Sequence, residues 1–222
     1  MATTTARTAA ELRESFRAIS KELRDANQSF SIRIWRGLSW LERSEACAAA
    51  SDVDGQFIAQ WITFNAVYGT LQECGLNAPD HANWQSFLAE IVKADGYDAL
   101  GKLLWDQQLA ILRLVDNRYL FRPFWLGLDD AAGKLQKSRR AAMAAYQARN
   151  VLGVLQELFE RLYVMRQQVF HGAATSGSKL NRPCLKSCAK LLSAILPAML
   201  EIMIAAGPQK DWGEVCFPPT KN

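Results

Sequence analysis

The sequence predicts an all-α protein, and three observations lead to this prediction. Apolar residues recur at intervals of three and four along most of the chain, which is the spacing of one helix face. Alternating Val/Ile/Thr runs are absent, and no Asn-Gly or Asp-Gly pair lies between two such runs. Half of the 222 residues are hydrophobic, enough to bury a core without disulfides or metals. We therefore expect a helical bundle with short connections.

The first half of the chain contains five predicted helices, which cover 9–26, 30–48, 55–72, 80–93 and 97–115. Asp52 or Asp54 is a suitable N-cap for the third of them. In the second, Arg33, Arg36 and Arg43 fall outside the apolar stripe, so we expect them to face solvent.

The second half begins with an irregular stretch, 116–130, which reads as a loop with aromatic anchors. Helical pattern follows at 130–148, 150–170 and from Pro183 to about Gly207, with a Gly/Ser-rich loop at 172–180 and Pro197 as a kink. The sequence leaves open whether the first two segments form one helix, because Asn150 and Gly153 both weaken the pattern between them. The sequence thus suggests an N-terminal helical arm (1–28), a main helical domain (29–207) and a C-terminal tail (208–222).

The charge and the apolar segments of the sequence bear on which partners and which cell compartment can be expected. The formal net charge of +4 is compatible with an anionic partner but does not demonstrate one. The first ten residues lack the apolar region of a secretory signal, so we expect a cytoplasmic protein. No apolar run approaches the length of about 18 residues that a bilayer requires, so no membrane partner is expected.

The sequence contains no motif that indicates a metal site, a cofactor or one of the common nucleotide-binding or hydrolase families. Five cysteines and two histidines are present, but only Cys184 and Cys188 are closely spaced, so we expect reduced thiols and no metal or cofactor. The chain has no Gly-rich phosphate loop and no Gly-x-Ser-x-Gly motif.

One segment carries candidate chemistry. Arg166 lies on the apolar stripe of the helix 150–170, where a leucine would be expected, and His171 follows just before Gly172, a usual helix stop. Two interpretations remain open. His171 caps the helix and Arg166 forms an internal ion pair, or both residues belong to a site.

Two other polar residues are candidates. Asn65 interrupts the apolar stripe of the helix 55–72, either as a buried amide bonded to backbone carbonyls or as a residue that orients Arg166 or His171. His81, in a turn beside Asp80, is a weaker second histidine.

The run Arg166-Gln167-Gln168-Val169-Phe170-His171 resembles the Arg-x4-6-His signature of the HEPN superfamily. The segments 33–41, 57–68, Asn181-Arg182 and 211–213 are also similar to the Apea-like group of bacterial HEPN proteins. The resemblance covers about residues 30–217, and it implies an all-α bundle of HEPN type with additional N-terminal and peripheral helices.

The resemblance implies a metal-independent, homodimeric endoribonuclease that cleaves RNA by attack of a 2′-hydroxyl. Arg166 and His171 would be catalytic, with Gln167 and Asn65 in support. Gln167 stands where this superfamily commonly has Asn, Asp or His, which puts catalysis in question. The alternatives are a non-catalytic module that binds nucleotide or RNA, a dimerisation scaffold, and a toxin or phage-defence component held by an antitoxin or regulatory protein.

Overall fold

The computed structural model describes residues 6–70, 80–173, 175, 177, 179 and 181–218, without the side chains of 80–82. Of these residues, 77% are helical, and they form 11 α-helices and no strand. A single isolated bridge joins Thr70 to Val215 within the same described part. The predicted all-α fold is confirmed.

The chain divides into two compact units, and the first comprises residues 1–96 and 193–222. Its complete helices are α1 (Ala9–Ala18), α2 (Lys21–Ala26), α3 (Gln28–Ala49), α4 (Val53–Tyr68) and α5 (Asp80–Ala94). Helices α3 and α4 pack along each other and bury the side chains of Phe30, Leu38, Trp61 and Phe64. The helix predicted over 9–26 is divided in two, because the Ser20 side chain accepts a hydrogen bond from the Leu23 amide and begins α2.

Arg33, predicted to face solvent, is completely buried. One guanidinium nitrogen donates to the carbonyls of Val67 and Gly69 at 2.8 Å each. The other donates to the carbonyls of Trp212 and Gly213 at 3.1 Å each. These acceptors replace the water that a buried guanidinium loses, and they fix the C-terminal segment against α3 and α4.

The second unit comprises residues 97–192. It contains α6 (Ala99–Asp106), α7 (Gln108–Val115), a 3₁₀ turn (Arg118–Leu120), α8 (Arg122–Trp125), α9 (Ala131–Gln147), α10 (Val151–Phe170) and the start of α11 (Arg182–Ala206), which continues in the first unit. The helix predicted over 97–115 is two helices, and the predicted loop 116–130 holds the 3₁₀ turn and α8.

Helices α9 and α10 are separate, which the sequence had left open. Arg149 has a left-handed φ of 52°, and the side chain of Asn150 accepts a hydrogen bond from the Gly153 amide. The chain therefore turns at 149–150 and begins α10 with a side-chain cap.

Helix α11 corrects the expectation that no segment is long and apolar enough for a bilayer. By length and composition α11 is a candidate membrane span, since its most apolar 18-residue stretch has a mean hydropathy of 1.8. However, 67% of that stretch is buried inside the protein. The buried core helix of a globular protein has the same composition, so α11 alone does not indicate a membrane.

The cysteines also depart in part from expectation. Cys47, Cys184 and Cys188 are free thiols, as predicted. Cys216 is disulfide-bonded, so the expectation that all the cysteines are reduced is wrong.

Candidate functional site

The guanidinium of Arg166 is held by two aromatic rings. Its central carbon lies 5.0 Å from the ring centre of Phe170 and 5.9 Å from that of Tyr163, one turn away on either side along α10. The Nε atom is buried without a hydrogen-bond partner. No carboxylate pairs with this half-buried arginine within the described residues, so the internal ion pair considered from the sequence is not found there.

His171 ends α10, as the sequence predicts. The helix stops at Phe170, the amide of His171 donates to the Gln167 carbonyl at 3.0 Å, and Gly172 follows with a φ of +67°. The imidazole is exposed. Among the described residues, no hydrogen bond or ring contact joins His171 to Arg166.

Gln168 and Asn181 hold the end of α10 in place. The amide nitrogen of Gln168 donates to the carbonyl of Tyr119 at 2.7 Å. The amide nitrogen of Asn181 donates to the Gln168 side-chain oxygen at 3.1 Å. These bonds connect the end of α10 to the 3₁₀ turn and to the residue that precedes α11.

An exposed aromatic cluster lies on that 3₁₀ turn and α8, and we call Arg118, Tyr119, Phe124 and Trp125 the aromatic cluster. The rings of Tyr119, Phe124 and Trp125 contact one another at centre distances of 5.3–6.3 Å. Arg118 lies 4.8 Å from the Tyr119 ring centre and donates to its hydroxyl at 2.7 Å. Trp125 is 55% exposed, whereas Phe121 of the same stretch is buried, with the Arg161 guanidinium 4.8 Å from its ring centre. The aromatic anchors expected in 116–130 are therefore confirmed at Phe121 but not in the aromatic cluster.

The other predicted site residues are placed as follows. Gln167 is half-buried on α10, and its side chain forms no hydrogen bond within the described residues. Asn65 lies on α4 in the first unit, and its side-chain oxygen is buried without a hydrogen-bond partner. The side chain of His81 lies outside the described residues.

Sequence reasoning missed Arg161, which is the buried arginine of α10 at 2% exposure. Its Nε donates to the Val115 carbonyl at 3.0 Å, and a second nitrogen donates to the Ser138 hydroxyl at 2.6 Å. The Ser138 hydroxyl in turn donates to the Glu157 carboxylate. Burial lowers the pKa of Arg161. The spacing of four between Glu157 and Arg161 was the available signal.

A pair of thiols lies at the start of α11. The Cys188 thiol donates to Cys184 and lowers the pKa of Cys184, while burial opposes this and a 3.4 Å bond from Asn117 assists it. The same thiol–thiol bond, together with complete burial, raises the pKa of Cys188. Cys184 is therefore the more readily ionised member of the pair.

Comparison with protein-family models, with curated proteins and with solved structures found no match to this chain. Within the described residues, no group of three or more His, Cys, Asp or Glu side chains could hold a metal ion.

Proposed function

We propose that this protein is a metal-independent endoribonuclease of the HEPN type, with Arg166 and His171 as its catalytic residues. The observation that carries the proposal is the state of Arg166: its half-buried guanidinium has no ion pair among the described residues, on the helix that ends at an exposed histidine. An unpaired guanidinium beside aromatic rings is suited to binding an anion such as a phosphate.

Arg166 would bind the scissile phosphate of RNA through two parallel hydrogen bonds. During attack on phosphorus, the phosphate oxygens gain negative charge. A fixed guanidinium stabilises that charge more than it stabilises the ground state. The Phe170 and Tyr163 rings restrict the motion of Arg166, so less freedom is lost on binding.

His171 would transfer protons. As general base it accepts the proton of the ribose 2′-hydroxyl, whose oxygen forms a bond to phosphorus while the bond to the 5′-oxygen breaks. The 5′-oxygen leaves with a proton from an imidazolium. The products are a 2′,3′-cyclic phosphate and a 5′-hydroxyl. One chain contributes a single histidine at this helix end, so we propose a homodimer in which the partner subunit's His171 supplies the second proton carrier.

The aromatic cluster supports single-stranded RNA as the substrate. Exposed rings of this kind stack on unpaired bases, and Arg118 adds a cation at the same surface. Through the Gln168–Tyr119 hydrogen bond, this surface is attached to the helix end that carries His171. On the resemblance alone, we further propose a cytoplasmic setting in toxin or phage defence, with a regulatory partner.

The test is cleavage of a labelled single-stranded RNA by the full chain in the presence of EDTA. We expect cleavage with cyclic-phosphate ends, and His171→Ala should lower the rate by about 10²-fold or more, as expected for loss of a positioned proton carrier. The other histidine gives the matched control, because His81→Ala should retain the rate. A requirement for magnesium, or cleavage that survives His171→Ala, would refute the proposal. Binding of RNA without cleavage would favour a non-catalytic module.

A further inference from the structure

A cleft of about 510 Å³ lies between α1 and α3 in the first unit. Its lining consists of three arginines, two tryptophans and a serine: Arg13, Arg17, Trp35, Arg36, Ser39 and Trp40. No acidic side chain lines it, so the cleft is cationic and aromatic at once. The volume falls in the usual range of small-molecule sites, about 300–1,000 Å³.

The three arginines are engaged to different degrees. Arg13 pairs with Glu42 at 2.7 Å. Arg36 donates to the carbonyls of Cys216 and Phe217 at 2.7 and 2.8 Å. Arg17 forms no ion pair or hydrogen bond within the described residues, and its guanidinium lies 5.9 Å from the Trp35 ring centre. Arg17 therefore keeps its hydrogen-bond donors available for an anion.

The two tryptophans also differ in how far their rings are already occupied by neighbouring side chains. Trp35 is 50% exposed, but Phe16, Arg13 and Arg17 all lie against its ring, at centre distances of 5.5–6.2 Å. Trp40 is 39% exposed, and no aromatic ring or guanidinium of the described residues packs on it. Trp40 therefore has an aromatic surface that is available to a ligand, whereas the ring of Trp35 is already in contact with two arginines.

We propose that this cleft binds a nucleotide, with the base on Trp40 and the phosphate on Arg17. A planar aromatic ring attached to an anion matches both features, whereas an apolar ligand would leave the arginines uncompensated. Arg36, which is bonded only to neutral carbonyls, adds positive charge beside the phosphate, whereas the charge of Arg13 is compensated by Glu42. Ser39 is exposed and its hydroxyl is available to the sugar. The same chemistry is offered by a free nucleotide and by one nucleotide of an RNA strand.

This site is independent of the proposed ribonuclease. Its lining residues all belong to the first unit, whereas Arg166 and His171 belong to the second. Binding here can be measured without cleavage, so failure of one proposal leaves the other open.

The experiment is calorimetric titration of the full chain with adenosine 5′-monophosphate, and with inorganic phosphate for comparison. Arg17→Ala and Trp40→Ala should each weaken nucleotide binding by about tenfold or more, because a charge-assisted bond or a stacked base is lost. Trp40→Phe should restore part of the affinity, since the ring is retained. Arg43→Ala, an exposed arginine of α3 outside the cleft, is the matched control and should bind as the parent does. Unchanged melting temperatures exclude unfolding as the cause.

A second arm uses a 2′-O-methyl RNA oligomer, which 2′-hydroxyl attack cannot cleave, followed by fluorescence anisotropy. Oligomer binding that depends on Arg17 and Trp40, without binding of the mononucleotide, would support the proposal with RNA as the source. Absence of binding to both probes would overturn it. Phosphate that binds as tightly as the nucleotide would also overturn it, as would an equal loss in Arg43→Ala, because either result means that only charge is recognised.

Discussion

Gln168 and Tyr119 are joined by a 2.7 Å hydrogen bond from the side-chain amide of one to the backbone carbonyl of the other. The same carbonyl accepts a 2.8 Å bond from the Trp125 indole. The Tyr119 carbonyl thus connects the end of α10 to the aromatic cluster. These two parts of the proposed RNA surface are therefore held together by hydrogen bonds to the same atom.

Gln168→Leu should loosen this connection. The change removes two hydrogen bonds, one to the Tyr119 carbonyl and one from the Asn181 side chain, each worth about 0.5–1.5 kcal/mol. We therefore expect KM for single-stranded RNA to rise by about tenfold with little change in kcat. Amide hydrogen exchange over residues 119–125 should become faster. Gln147→Leu, at an exposed glutamine of α9, is the matched control and should change neither quantity. Unaltered exchange and KM in Gln168→Leu would show that the bond does not organise the surface.

Arg166→Lys tests the role of the planar guanidinium. A lysine keeps the charge but cannot form two parallel hydrogen bonds to a phosphate, so we expect cleavage to fall by about 10²-fold. The melting temperature should hardly change, because Arg166 forms no ion pair or hydrogen bond within the described residues. Arg140→Lys, at an exposed position of α9, controls for general effects of charge. Full activity in Arg166→Lys, or joint loss of activity and stability, would return Arg166 to a structural role.

The end of α10 should lie in a homodimer interface. Phe170 is 41% exposed beside the unpaired Arg166, and burial against a second copy would remove this apolar surface from water. Light scattering of the parent chain at tens of micromolar should give the mass of two chains, and Phe170→Glu should shift it toward one. Leu109→Glu alters a 74% exposed leucine of α7 and should leave the dimer intact. A monomeric parent chain would contradict the shared site.

Cys184 should be the most reactive of the three free thiols in the described part of the chain. The thiol–thiol hydrogen bond lowers the pKa of Cys184 and raises that of Cys188. A lowered pKa means that the reactive thiolate is present at lower pH. Iodoacetamide near pH 7 should therefore modify Cys184 before Cys188 or Cys47, as measured by mass spectrometry of peptides. Cys188→Ala removes the main cause of the lowered pKa and should move Cys184 labelling to higher pH. Faster labelling of Cys47 would contradict the assignment.

The sequence predicted the helical fold and the end of α10 because both depend on local signals. Apolar residues spaced three and four positions apart define the buried face of a helix. Gly172 permits the left-handed φ that follows the end of α10. The side-chain caps at Ser20 and Asn150 are equally local, and each of them divides a stretch that apolar periodicity leaves continuous. Periodicity reports burial and is insensitive to such caps.

The buried arginines could not be predicted, since their acceptors are distant in sequence. Arg33 is bound by carbonyls 34–180 residues away, and Arg161 by the Val115 carbonyl 46 residues away. A pattern of apolar and polar residues assigns arginine to the surface and contains no information on remote carbonyls. The exposure of the aromatic cluster was missed for the opposite reason, because aromatic residues in a loop suggest buried anchors, and in 116–130 Phe121 is one.

Arg33 gives the sharpest test of what holds the first unit together. Arg33→Ala would leave the carbonyls of Val67, Gly69, Trp212 and Gly213 without their donor and open a cavity among buried side chains. We expect the free energy of unfolding in urea to fall by about 3–5 kcal/mol, because a buried acceptor left without its donor costs about 1–3 kcal/mol and several carbonyls lose theirs together. Arg43→Ala, exposed on the same helix, should stay within about 0.5 kcal/mol of the parent. Proteolysis should also cut sooner near residues 207–218 in Arg33→Ala, because the arginine holds that segment. A loss below about 1 kcal/mol would mean that water replaces the guanidinium at these carbonyls.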